Sequence, residues 1–275
     1  MGCFIQRAAC TDRSCFPTSS DMRRLPSVPN LLSLSAVVWL YTPSAVCTAA
    51  AEDAWSIKEA AALRHVLGGL RKSGGWGRLR ASWVGGTDDA CDGWMGIGCT
   101  EGRVTSLSLE YMSLEGALAP EIGQLQELRM LKLIGNRISS TLPATIGQLT
   151  SLHTLNLKGN KITDPFPTEL ADCLSLKMLN VQGCLLTGTV PTAVYSLVNL
   201  ESLTLGKNAL TGNISPEICR LTKLRTLNFA INDISGQIPA CIGESMPELV
   251  HVDLRNNRID GRCAPQSVMC ISAVY

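Results

Sequence analysis

Twelve cysteines and three histidines are the side chains of this 275-residue chain best suited to chemistry, and their placement favours cross-linking over catalysis. The histidines, His65, His153 and His251, are too scattered along the chain to cooperate. There is no G-x-S-x-G, no phosphate-binding G-x-x-x-x-G-K-[ST] and no H-E-x-x-H. Nothing therefore supplies an activated nucleophile, a phosphate cradle or a zinc-bound water. The cysteines lack zinc-like spacing with histidine partners. The expectation is a binding protein with no catalytic residue, no metal and no cofactor. Four cysteines, Cys3, Cys10, Cys15 and Cys47, fall within the first 51 residues. The other eight are Cys91, Cys99, Cys173, Cys184, Cys219, Cys241, Cys263 and Cys270. An even set permits a disulfide framework without proving one. Cys263 and Cys270 flank a short loop that a bridge could close.

The elements that must position these side chains come from a repeat. The spacing L-x-x-L-x-L-x-x-N starts at Val104, Leu128, Leu152, Leu176, Leu200, Leu224 and Leu249, in steps of 24 residues with a final step of 25. Self-similarity at this period predicts a solenoid whose units share one continuous core. In the unit from Leu152, alternation turns Leu155 and Leu157 inward and the intervening residues outward. Asn136, Asn160, Cys184, Asn208, Asn232 and Asn257 recur where the chain turns, with Met112 in the first unit's slot. A buried asparagine there can bond neighbouring backbone and build a ladder between units. Ile138, Ile162, Leu186, Leu210, Ile234 and Ile259 form the next buried column. The second half of each unit approximates G-x-I-P-x-x-I-G-x-L. Gly116, Gly188, Gly212, Gly236 and Gly261 fill its bend, where Ser140 and Asp164 stand in two units. Cys173 occupies the column of Leu125, Leu149, Leu197 and Leu221, and reads as a buried thiol. Cys219 and Cys241 sit on adjacent units two residues out of step, and their pairing is a question of geometry.

Outward positions on successive strands stack into columns. They place Arg129, Lys132, His153, Asn156, Lys158, Lys177, Asn180, Glu201, Lys207, Arg225, Asn228, Asp253 and Arg255 on one concave face as candidate binding residues. That face carries seven Lys or Arg against Glu110, Glu201 and Asp253, whereas residues 52–275 hold 20 basic and 21 acidic side chains. Concentrated positive charge favours an acidic partner: a protein, a peptide or an anionic glycan. Tyr111 is the single aromatic residue of the face. The near-neutral whole, net +1, argues against nucleic acid.

The pattern resembles the plant-type leucine-rich repeat of receptor-kinase ectodomains, polygalacturonase-inhibiting proteins and some protozoan surface antigens, over roughly residues 53–263. The resemblance implies an α/β, right-handed curved solenoid with parallel strands on the concave side and a helical N-terminal cap. The segment Cys91-x-x-Trp94-x-Gly96-Ile97-x-Cys99, followed by Gly102-Arg103-Val104, is similar to that family's cysteine-paired cap. It implies a Cys91–Cys99 disulfide. The implied role is extracellular recognition through the concave face. The alternatives are inhibition of a secreted hydrolase and an intracellular scaffold.

Residues 53–71 read as the cap helix, with Ile57, Ala61, Val66, Leu67 and Leu70 as its buried face and Gly68 and Gly69 at its end. Upstream, residues 31–41, LLSLSAVVWLY, suit a signal-peptide core behind Arg23 and Arg24, with cleavage near Ala49–Ala51. Translation from Met22 gives a signal peptide of normal proportions; an uncleaved signal anchor is the rival. Gln6, where a Ser or Thr is wanted, disfavours acylation at Gly2. The terminal SVMCISAVY is too short to span a membrane. The expected organisation is residues 1–51 as extension and signal, 52–103 as cap, 104–262 as about seven repeats and 263–275 as tail. The mature chain would then lack a transmembrane segment and be secreted or held at the cell surface. One N-x-[ST] sequon, Asn213-Ile214-Ser215, offers a glycosylation site away from the strand face.

Overall fold

The computed structural model of the chain describes residues 43–72, 77–85, 87–244 and 246–260. The chain divides into two compact units, residues 1–47 and 48–275. The signal-peptide core, Cys263, Cys270 and Gly261 lie outside the described residues.

The second unit is the expected solenoid. One eight-stranded sheet begins with an antiparallel pair, Ile97–Thr100 and Arg103–Ser108. It continues in parallel through Met130–Lys132, Thr154–Asn156, Met178–Asn180, Ser202–Thr204 and Thr226–Asn228 to His251–Asp253. The register is Leu107, Leu131, Leu155, Leu179, Leu203, Leu227 and Val252, one inward side chain per unit. The six leucines are fully buried. At about 25 cal/mol per Å² of apolar area, this repeated column is the main source of cohesion between units. Each of five units returns through a 3₁₀ turn: Pro120–Gln124, Ala144–Gln148, Thr168–Asp172, Thr192–Ser196 and Pro216–Arg220. In the sixth, a short α-helical turn, Cys241–Glu244, replaces it just before the extra residue of the sequence period.

The asparagine ladder forms. Asn160 accepts from the Ile138 N–H at 3.0 Å and donates to the Leu133 and Leu157 carbonyls, both at 2.8 Å. Asn136, Asn208, Asn232 and Asn257 repeat the arrangement. Cys184 makes only a long contact to the Leu157 carbonyl, 3.6 Å. On the opposite side a second sheet runs Leu70–Lys72, Leu114–Gly116, Arg137–Ser140 and Lys161–Ile162. Its bends need the left-handed region, which glycine enters freely and Ser140 occupies at φ 87°.

The cap helix α1 spans Pro43–Gly69, starting ten residues earlier than the amphipathic pattern implies. Its buried face is also rotated. Ala60, Leu63, Val66 and Leu67 are buried, while Ile57 and Ala61 are exposed. Glu59 sets this phase: its carboxylate accepts from Arg103 Nε at 2.9 Å and from the Val104 N–H at 2.8 Å. That contact holds the helix on the first repeat strand. Leu70 leaves the helix for a strand antiparallel to Leu114–Gly116. A second helix, α2 (Gly77–Val84), buries Trp83, which stacks on Trp94 at 5.6 Å and donates to the Met95 carbonyl. A Cys91–Cys99 disulfide closes the cap loop, and a Cys219–Cys241 disulfide ties adjacent units. Cys173 and Cys184 are free and buried.

Candidate functional site

The concave strands are only three residues long in the five central units, and this reshapes the site drawn from the sequence. Of the candidate side chains, Lys132, Asn156, Asn180 and Asn228 stand on strands at one level. Arg129, His153, Lys177, Glu201 and Arg225 precede the strands, and Lys158, Lys207 and Arg255 follow them. The column of Tyr111, Gly135, Gly159, Gly183, Lys207, Ile231 and Asn256 is not a strand column. Each of these residues has a positive φ, between 53° and 70°, because the chain turns there into the ladder.

Several candidates already have structural work. Asn156, Asn180, Asn228 and Asp253 each accept from the backbone N–H two residues on. This is the local turn-forming bond that short polar side chains make, so these four shape the bend. Asp253 is also buried, with Arg255 against it at 3.2 Å, which removes it from the open face. His153 Nδ1 lies 2.6 Å from the Ser151 carbonyl. Lys177 pairs with Glu201 at 3.2 Å. Arg225 pairs with Glu248 at 2.7 Å. Glu248 stands outside the sequence-derived columns, and its only signal there was an acid beside the inserted residue.

Four cations of the concave face have no ion pair among the described residues: Arg129, Lys132, Lys158 and Lys207. Three of them lie on adjacent units, Arg129 before the strand and Lys158 after it, and Tyr111, 74 % exposed, lies at the end where the strands turn away. A Cβ added to Gly135 would fall 2.3 Å from the Tyr111 ring, so that glycine makes room for the phenol to lie flat on the second unit. The open part of the face thus holds three unpaired cations spread along two strands and one aromatic ring at the end where those strands turn, in the N-terminal units of the sheet. Among the described residues no group of His, Cys, Asp and Glu is arranged to hold a metal ion, and no helix is long and apolar enough to cross a membrane.

The family model for the leucine-rich repeat region matches residues 103–266, more than half of the sequence. The chain belongs to the leucine-rich repeat family. Among curated relatives, it is 47 % identical to the receptor-like kinase TMK4 of Arabidopsis thaliana over 58 residues, which are 21 % of this chain and 6 % of that protein. The solved structure of the Arabidopsis receptor kinase HAESA, with the peptide hormone IDA and the co-receptor SERK1, matches 76 % of this chain and 35 % of its own at 28 % identity, with a TM-score of 0.69. The PEPR1–AtPEP1 structure matches 73 % of this chain and 28 % of its own at 32 % identity, with a TM-score of 0.67. This leucine-rich repeat chain therefore spans a small part of each of these three relatives.

Proposed function

We propose that this chain is an extracellular recognition module that binds an acidic peptide or acidic protein segment on the N-terminal half of its concave face. The observation that carries the reading is that Arg129, Lys132 and Lys158 have no ion pairs on the same two-unit stretch of the face that carries the exposed Tyr111 ring. Unpaired cations on a sheet attract a ligand of opposite sign and steer its approach. A flat exposed tyrosine supplies the apolar anchor that charges alone lack. The peptide hormone bound to HAESA supports a peptide over a glycan. Disulfides at Cys91–Cys99 and Cys219–Cys241 suit an oxidising compartment, which supports secretion or display at the cell surface. Asn213 is exposed and makes a bridge with Ser235, well placed for a glycan that leaves the concave face open.

The test is binding of a glutamate-rich peptide, followed calorimetrically at low and high salt. Affinity should fall as salt rises. Combining Arg129→Glu, Lys132→Glu and Lys158→Glu should abolish it, and Tyr111→Ala should weaken it about tenfold, in line with the loss of one aromatic anchor. Unchanged affinity in the triple reversal refutes the proposed face.

A further inference from the structure

Every unit of a solenoid meets the same neighbours, so a departure from the repeat that packing does not need calls for another reason. On the outer side of the molecule such departures converge on the third to fifth units. The position held by Gly123, Gly147 and Ala171 in the first three 3₁₀ turns is Tyr195 in the fourth. The earlier turns touch closely there: a Cβ on Gly123 would lie 2.5 Å from the Thr145 carbonyl, and one on Gly147 would lie 2.4 Å from the Glu169 carbonyl. Tyr195 instead wedges the turns at 192–196 and 216–220 apart. It is 97 % buried, with the Ser215 backbone as the polar group facing its hydroxyl. Beside it, Asp164 captures both the N–H and the hydroxyl of Thr187. The second sheet stops at Lys161–Ile162, and the next strand outside the concave sheet among the described residues is Ser235–Gly236.

The result is a groove made of two joined cavities, of about 440 and 320 Å³, which share Thr168, Thr192 and Ala193. Their volumes lie in the range of small-ligand sites. Glu217 is paired with Arg220 at 3.2 Å, while Asp164 is hydrogen-bonded by Thr187 and keeps its negative charge. The hydroxyls of Thr189, Thr192 and Ser196 have no hydrogen-bond partner among the described residues. Each can donate and accept. Pro165 and Pro191 add apolar flanks.

We propose that this groove binds a neutral oligosaccharide. Sugar hydroxyls donate and accept as the threonines do, the C–H faces of a pyranose suit the prolines, and the Asp164 carboxylate, which can accept from a sugar hydroxyl, disfavours an anionic ligand. A peptide strand fits less well. The N–H groups of Leu185, Ala209 and Thr211 already donate to Ile162, Leu186 and Gly188 carbonyls of the preceding units, so no free ladder is offered. The site is separate from the concave face, and either assignment can fail without the other.

The experiment titrates the full chain, with Asn213→Gln to remove any glycan of its own, against β-1,4-linked gluco-, manno- and xylo-tetraoses. Binding is followed by saturation-transfer NMR and calorimetry. At least one tetraose should bind saturably. Thr192→Trp, which fills the groove from an exposed position, should weaken it at least tenfold, and so should Thr168→Trp from the opposite wall. Lys132→Glu with Lys158→Glu should leave it unchanged. The proposal is overturned if no tetraose binds, if binding survives both tryptophan variants in folded protein, or if a peptide probe occupies the groove instead.

Discussion

Replacing Cys184 by asparagine should stabilise the protein. In the unit before, Asn160 satisfies the buried Ile138 N–H and donates to two carbonyls. Cys184 gives its own unit one long contact of 3.6 Å to the Leu157 carbonyl, and sulfur is a weak partner for the N–H of Ile162. An asparagine there would add a proper acceptor for that N–H and a second donor bond. A net hydrogen bond is worth roughly 0.5–1.5 kcal/mol, but the two nearby carbonyls already have partners, Leu157 bonding Asn160 and Val181 bonding Asn208. The benefit therefore falls on the Ile162 amide alone, and the expected gain is about 0.5–1.5 kcal/mol. For a domain of this size that is a rise of about 1–6 °C in Tm. Urea unfolding followed by tryptophan fluorescence should show a higher midpoint with an unchanged slope, and hydrogen exchange at the Ile162 amide should slow. A midpoint at or below that of the parent, with the Ile162 amide no better protected, refutes the account of the ladder as a set of satisfied backbone groups.

Three further outcomes are expected. Glu59→Ala strands the half-buried Arg103 and the Val104 N–H, at a cost of about 3 kcal/mol, the low end for a broken buried pair. Glu59→Gln keeps an acceptor for Val104 and should recover part of that loss, so equal melting of the two variants would refute the role given to Glu59. Gly147→Ala drives a methyl into the Glu169 carbonyl and should cost on the order of 1–3 kcal/mol, whereas Gly188→Ala, which meets no neighbour, carries only the strain of its φ of 64°; a smaller loss at Gly147 would count against the close fit of the turns. Burial, reinforced by Asp172, raises the Cys173 thiol from 9.0 to about 11. Its folded pKa is above the unfolded one, so this stability is fully present below pH 9 and is lost as pH climbs toward 11. The loss is on the order of 3 kcal/mol at 1.36 kcal/mol per unit. Melting curves from pH 8 to 11 should fall less steeply for Cys173→Ala, and parallel curves would refute the assignment.

The period, the inward leucines, the ladder asparagines and the buried place of Cys173 were legible in the sequence. Each follows from a constraint that repeats in every unit, so seven copies state it. What one unit does differently was not legible. Cys219 and Cys241 pair because two turns bring their Cα atoms to 5.7 Å, a distance that two residues of offset could not supply. The phase of α1 was lost because an alanine-rich helix has little amphipathic contrast, and Glu59 turns inward to a strand 45 residues away. Alternation alone put Asn156, Asn180 and Asn228 on a binding face, where the backbone two residues on claims them. The charge of that face was readable, but its pairing was not: Glu248 reaches Arg225 across units, and the cations left open are decided by which side chains meet in three dimensions. The groove at Tyr195 belongs to the same class, since a large side chain in a small residue's slot becomes a wedge only where neighbouring turns stand against it.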